Sequence, residues 1–152
     1  MSLFFTPDPL TKAELKQIAD AISDAERNTS GEIRVSIRKR RTLKERKLSL
    51  HELALHNFYQ LGMDKTKDKT GVLIFLSLSD HAFQIIADEG IHKRVADGHW
   101  DRLAASMTTH FKGKRFRQGI CEAVKEIGTT LAREFPRKEG DTNELPNDVS
   151  IG

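Results

Sequence analysis

Acidic side chains gather around one apolar stretch of this sequence, residues 66–90. The centre of the stretch, Val72–Leu76, consists of five apolar residues in succession. The carboxylates at its ends or shortly after it are Asp68, Asp88, Glu89 and Asp97. Carboxylate and carbonyl oxygens are the ligands that hard cations such as Ca²⁺ and Mg²⁺ prefer. These residue types therefore predict a divalent-cation site, provided that the fold brings them together.

The loop before the apolar centre carries oxygen donors at alternate positions, 64, 66, 68 and 70. It is not an EF-hand, because it has no glycine at the sixth position and no glutamate at the twelfth. Three lysines between the donors would also repel a cation. The alternative is that these side chains form turns and cap helices in contact with solvent. Both interpretations stay open at the level of sequence.

Other patterns that could do chemistry are incomplete. No Asp-x-Asp-x-Thr nucleophile motif occurs, and Cys121 lacks the phosphate loop and arginine of cysteine phosphatases. His51 and His56 are five residues apart, whereas the zinc-protease signature places its two histidines four apart on one helix face. The sequence therefore names no catalytic residue, whose identity stays unknown, and we predict no organic cofactor.

Local signals divide the chain into elements that would position the acidic residues. Capping-box patterns at Thr11–Glu14 and Thr42–Glu45 predict the starts of two helices. Between them, residues 33–37 alternate apolar and polar side chains, as in a strand with one covered face. Val72–Leu76 and Ala82–Ala87 predict a hairpin, and two amphipathic stretches then run to Pro136.

The predicted order is helix, strand, helix, strand, strand, helix, helix. A strand–helix–strand unit favours a parallel pair, and the short loop before Ala82 favours an antiparallel one. Because Val72–Leu76 is apolar on both faces, helices should cover the sheet on both sides. The fold class is therefore α/β, a three-layer α/β/α sandwich with a small mixed sheet. We predict one domain over residues 1–136 and a flexible polar tail over residues 137–152.

Four segments, in this order, resemble the TPM domain family, named for a thylakoid lumen protein, a photosystem II repair protein and a nematode receptor auxiliary protein. They are Thr29–Ile33, residues 61–73 with Lys67-Asp68-Lys69-Thr70-Gly71-Val72-Leu73, residues 88–97 with Asp88-Glu89-Gly90-Ile91, and Phe111–Gly128. The similarity spans about residues 10–135. Lys69 stands where the family has asparagine, and an acidic residue replaces one glycine of the later turn.

The resemblance implies an α/β/α sandwich with acidic residues near the strand ends that hold a divalent cation. It adds Glu32, which matches the family's glutamate in the first strand, to the candidate ligands. It also implies a phosphatase label, attached through plant members. Fold alone does not carry function, and the sequence does not decide whether the protein is an enzyme.

Charge and composition bound the partners and the compartment. The net charge is +3, and basic residues concentrate between Arg34 and Lys47. Such a segment can bind nucleic acid or an acidic surface, but it lacks aromatic residues for base stacking, and a solvated loop is the favoured interpretation. With one cysteine, no apolar span of membrane length and no secretory-signal pattern, we expect a soluble, bacterial-type protein of the cytoplasm.

Two functions from different classes follow. The first is a soluble TPM-like domain that binds Ca²⁺ or Mg²⁺ and acts as an accessory or interaction module for a protein partner of unknown identity. The second is a metal-assisted phosphomonoester hydrolase that uses the same acidic cluster, where the cation would activate water.

Overall fold

The computed structural model describes residues 10–95, 98–138 and 145–152. The elements in chain order are α1 (Lys12–Glu26), β1 (Glu32–Arg38), α2 (Leu50–Gln60), β2 (Gly71–Ser77), β3 (Ala82–Ala87), α3 (Glu89–His92), α4 (His99–Lys112), α5 (Phe116–Glu134) and β4 (Ser150–Ile151). The predicted order of elements is confirmed through α5, and the short helical turn expected over Ile91–Val95 is observed as α3, two residues earlier.

The sheet is mixed, with the strand order β3-β2-β1-β4. β1 and β2 are parallel with Glu32 opposite Gly71, while β2 and β3 are antiparallel with Val72 opposite Ala87. The first residues of β1 and β2 therefore lie at the same end of the sheet as the last residue of β3. We call this end of the strands, with the residues 66–70 and 88–90 that border it, the strand-end site.

Two cores lie on opposite faces of β2. Val72, Ile74 and Leu76 pack in the larger core with residues of α1, α4 and α5. Leu73 and Phe75 pack in a smaller core with residues of α2. Every residue of β2 is buried, because helices cover both faces of the strand. The predicted α/β/α sandwich is thus the observed fold class.

The two predicted capping boxes have different outcomes. At α1 the reciprocal bonds between Thr11 and Glu14 form as predicted. Thr42 and Glu45 also form both bonds, but only a 3₁₀ turn follows them, over Glu45–Lys47. The backbone then becomes extended at Leu48, and a further capping box between Ser49 and Glu52 begins α2. The expected helix start is therefore corrected from residue 42 to residue 50.

The last residues of the chain also differ from the expectation of a tail without regular structure. β4 pairs in parallel with β1, and the Gly152 N–H donates to the Ile37 carbonyl oxygen at 2.8 Å. The Gly152 carbonyl oxygen accepts from the Lys39 N–H at 2.8 Å. These bonds satisfy backbone groups in β1 and just after it that the sheet would otherwise leave open. The domain boundary at residue 136 stays a prediction.

Within the part of the chain that the structure describes, every helix is too short or too polar to cross a lipid bilayer.

Candidate functional site

Asp88 lies at the centre of the strand-end site, between β3 and α3. Its N–H donates to the Gly71 carbonyl oxygen at 2.9 Å, which continues the ladder between β2 and β3. Its Oδ1 accepts the Glu89 N–H at 2.8 Å and so caps α3. Its Oδ2 is buried and has no hydrogen-bond partner among the described residues. A buried acceptor of this kind requires a donor, a water or a cation.

The loop before β2 lies directly against the start of α3. The Gly90 N–H donates to the Lys69 carbonyl oxygen at 3.0 Å. A β-carbon on Gly90 would come within 2.5 Å of the carbonyl oxygens of both Asp68 and Lys69, so only glycine allows this approach. The fold therefore brings Asp68 and Glu89, both exposed, to the same end of the sheet as Asp88.

One of the alternating oxygen donors of this loop has a structural role, in line with the turn-forming alternative. The Thr66 hydroxyl oxygen accepts the Thr70 N–H at 3.1 Å, and both threonines are buried. The Lys69 ammonium group donates to the Asp64 carbonyl oxygen at 2.6 Å within the loop. The Thr66 hydroxyl and the Thr70 N–H thus hold the turn before β2.

Glu32 lies at the same end of the sheet but is buried, and it contacts another carboxyl group. It is 2 % exposed, and its side chain hydrogen-bonds with that of Glu26. Glu26, 6 % exposed, accepts the Ile33 N–H at 2.7 Å. Burial, with the charge and hydrogen bond of Glu32 adding to it, raises the pKa of Glu26 from 4.5 to about 9. Glu26 is therefore protonated at neutral pH.

Sequence reasoning missed Glu26. The signal was present, because Glu26 follows Ile18 and Ile22 at spacing four on the inner face of α1. A glutamate at a core-facing position of an amphipathic helix requires a partner in the interior.

The predicted ligands are thus placed unevenly. Asp68, Asp88 and Glu89 lie at one end of the sheet. Glu32 hydrogen-bonds with Glu26, and Asp97 lies outside the described residues. Over residues 10–95, 98–138 and 145–152, no three side chains of histidine, cysteine, aspartate or glutamate are close enough together to hold a metal ion. The described residues therefore do not form a cage of carboxylates, and a cation here would have to be held by one or two carboxylates with carbonyl oxygens and water.

The basic segment is in part an internal structure. The Arg38 guanidinium donates to the Glu45 carboxylate at 2.6 Å, with both side chains largely buried. Arg41 donates through Nε to Asp80 at 2.8 Å and through Nη1 to the carbonyl oxygens of Glu45 and Leu48. Two of the predicted cationic side chains therefore stabilise the connection between β1 and α2, while Lys39, Arg40, Lys44, Arg46 and Lys47 are exposed.

Cys121 lies half-buried on α5, and burial raises the pKa of its thiol above the ordinary value. A thiol of this kind is mostly protonated at neutral pH and is a weak nucleophile.

Solved structures similar to this chain share its fold. The NMR structure of BA42 protein from the psychrophilic bacterium Bizionia argentinensis is 41 % identical, covers 94 % of this chain and 95 % of that chain, and has a TM-score of 0.84. The N-terminal domain of a protein from P. gingivalis is 20 % identical, over 85 % of this chain and 80 % of that chain, with a TM-score of 0.67. The N-terminal domain of cg2496 protein from Corynebacterium glutamicum is 10 % identical, over 80 % of this chain and 74 % of that chain, with a TM-score of 0.60. At these lower identities the likeness concerns the fold alone.

A search of curated proteins found no match. The family model of the TPM domain matches residues 6–130, which includes every strand-end residue described above. With this match over most of the sequence, and with the predicted segments in the predicted order, the chain belongs to the TPM domain family.

Proposed function

We propose that this protein is a divalent-cation-binding accessory module whose cation lies at the strand-end site beside Asp88. The observation that carries the proposal is the buried Oδ2 of Asp88, which has no hydrogen-bond partner among the described residues. Asp68 and Glu89 lie in the two segments that meet at this site, and both are exposed. A cation would supply the missing interaction of a desolvated carboxylate oxygen.

The chemistry of the donors favours Mg²⁺ or Ca²⁺. The site offers carboxylates and backbone carbonyl oxygens, which are hard ligands. Mg²⁺ binds with one or two carboxylates and keeps several waters, and Ca²⁺ accepts carbonyl oxygens and waters in a flexible shell. Asp88 would hold the ion, with Asp68 or Glu89 as the second carboxylate. A site with so few charged ligands and an open side suits weak, reversible binding.

The interaction role rests on the same open side. The site lies at one end of the sheet, where two loops meet and the side chains of Asp68 and Glu89 are exposed to solvent. A cation there would present open coordination positions to a partner or a small anion. The hydrolase alternative, the compartment and the identity of a protein partner stay predictions.

The test is to titrate the protein with MgCl₂ and with CaCl₂, and to compare it with Asp88→Asn. Asparagine keeps the N-cap to Glu89, since Asp and Asn cap helices about equally well. The variant should therefore fold, while its affinity for the cation falls by roughly tenfold or more because a charged ligand is lost. Calorimetry gives the affinity, and amide chemical shifts show whether residues 66–70 and 88–90 respond.

Asp20→Asn is the matched control, since Asp20 is exposed on α1 and pairs only with Lys16 among the described residues. Its cation affinity should equal that of the parent protein. The proposal is overturned if neither cation produces heat or shifts at the strand-end site, or if Asp88→Asn and Asp20→Asn bind the cation equally well.

A further inference from the structure

A polar cleft runs between α4 and α5, on the outer side of the helical layer. Its volume is about 680 Å³, within the range of small-ligand sites. Its lining includes three side chains with permanent positive charge, Arg102, Lys125 and Arg133, and three hydroxyl groups, from Ser106, Thr129 and Thr130. Cationic and hydroxyl donors in one concavity are the groups that bind oxyanions.

The two helices present these groups at helical spacing. On α4, His99, Arg102 and Ser106 lie on one face, and on α5, Lys125, Thr129 and Arg133 do the same. The cleft therefore depends on two rigid, packed elements and not on a loop. At its far end, His110 and Glu122 contact each other at 2.6 Å and join the two helices.

The floor of the cleft is Thr130 with His99. Thr130 is 5 % exposed, and its hydroxyl lies 3.4 Å from His99 Nε2, a long contact that leaves both groups able to form a better bond. Burial and the charges of Arg102 and Arg133, against an opposing effect of Glu126, lower the pKa of His99. Two arginines, Arg102 on α4 and Arg133 on α5, therefore place positive charge near the His99 imidazole.

Some of the charged groups in the cleft contact partners outside it. The Glu122 carboxylate contacts His110, and Arg133 donates to Glu134 at 3.1 Å through Nε, which leaves its two terminal amino groups to other acceptors. Among the residues that the structure describes, Arg102 and Lys125 have no carboxylate within 4.0 Å. Glu126 is the one acidic side chain that lines the cleft near His99.

We propose that the cleft between α4 and α5 binds a small oxyanion, a phosphate or a carboxylate, between Arg102 and Arg133 and above Thr130 and His99. Guanidinium groups form paired hydrogen bonds with both kinds of anion. The buried hydroxyl of Thr130 supplies a further donor. The inference is independent of the cation at the strand-end site, because none of the residues that line the cleft borders that site.

The test uses two probes, inorganic phosphate and succinate, each titrated at constant ionic strength into protein freed of divalent cations on a chelating resin. Amide shifts should move along residues 99–106 and 125–133 with either probe, and the tighter of the two identifies the anion class. Arg102→Gln should weaken binding by roughly tenfold, the loss of a charged hydrogen-bond pair. Glu126→Gln should tighten it several-fold, because the opposing charge is removed.

Arg46→Gln is the matched control, since it removes the same charge from an exposed position outside the cleft. Its affinity for the probes should equal that of the parent. The proposal is overturned if no shifts appear along α4 and α5, if Glu126→Gln does not tighten binding, or if Arg46→Gln weakens binding as much as Arg102→Gln does.

Discussion

At the scale of single residues, the carboxyl pair of Glu26 and Glu32 gives stability a dependence on pH. An isolated glutamate has a pKa of 4.5, and the folded protein raises that of Glu26 to about 9. Between these values the unfolded chain releases a proton that the folded chain keeps. The free energy of unfolding contributed by Glu26 is therefore highest below about pH 4.5 and falls as the pH rises towards 9.

Glu26→Gln should remove this dependence. Glutamine imitates the protonated carboxyl group and can still accept the Ile33 N–H. We expect the variant to match the parent near pH 5 and to be more stable at pH 8 by roughly 4 kcal/mol, since each pH unit between the two pKa values costs the parent about 1.4 kcal/mol. Urea denaturation at pH 5, 6.5 and 8 measures the difference between the two proteins.

Asp20→Asn serves as the control for this experiment, because Asp20 is exposed and its removal should leave the pH slope unchanged. Lowered carboxylate pKa values at Glu45 and Asp80 make the parent lose stability in acid, so the comparison with the parent at each pH isolates Glu26. Parallel curves for Glu26→Gln and the parent would show that the carboxyl group is ionised in the fold.

At the scale of elements, the connection between β1 and α2 is held by arginine. Arg41 ties it together, since one guanidinium bonds to Asp80 and to the carbonyl oxygens of Glu45 and Leu48. Asp80, in the hairpin between β2 and β3, also accepts from the Ser77 hydroxyl. Two connections that are distant in sequence are therefore joined beside the sheet.

Arg41→Gln should destabilise the protein by about 1–3 kcal/mol, because two carbonyl oxygens and a carboxylate lose a charged donor. Arg40→Gln removes the same charge from an exposed side chain one residue earlier and should change the stability by less than about 0.5 kcal/mol. Thermal and urea denaturation measure both. Equal losses in the two variants would mean that net charge, and not the Arg41 hydrogen bonds, governs the effect.

Sequence patterns predicted the elements where local and long-range preferences agree. The apolar run of β2 reported a strand covered on both faces, and the Thr11–Glu14 box marked the start of α1. The box at Thr42–Glu45 misled, because its bonds also close a single 3₁₀ turn. β4 carries no period of its own, since two residues held by pairing with β1 are invisible to a local pattern.

The candidate site was predicted in part for a similar reason. The hairpin topology places Asp68, Asp88 and Glu89 at one end of the sheet, and this placement follows from the order of the strands. Sequence cannot tell which oxygen of Asp88 caps a helix and which is buried without a partner. Glu32 was added to the candidate ligands by the family resemblance, and its contact with Glu26 could not be foreseen because it depends on how α1 packs against β1.

At the scale of the whole molecule, the sheet has two edges that are treated differently. β3 forms one outer strand, and its residues are mostly half-buried. β1 would form the other, but β4 pairs with it, and Val149 packs against the larger core just before β4. An unpaired β1 would be a template for pairing with a second chain. The C-terminal residues thus complete the sheet.

Deletion of residues 148–152 should therefore have two effects. Loss of the backbone bonds to Ile37 and Lys39 should lower the free energy of unfolding by roughly 1–3 kcal/mol. The exposed edge of β1 should also promote self-association, which light scattering after size-exclusion chromatography detects. Ile151→Thr is the control, because this side chain is 47 % exposed and threonine keeps the strand preference. A deletion variant as stable and as monodisperse as Ile151→Thr would show that β4 does not protect the edge, whereas the expected result makes residues 148–152 part of the folding unit.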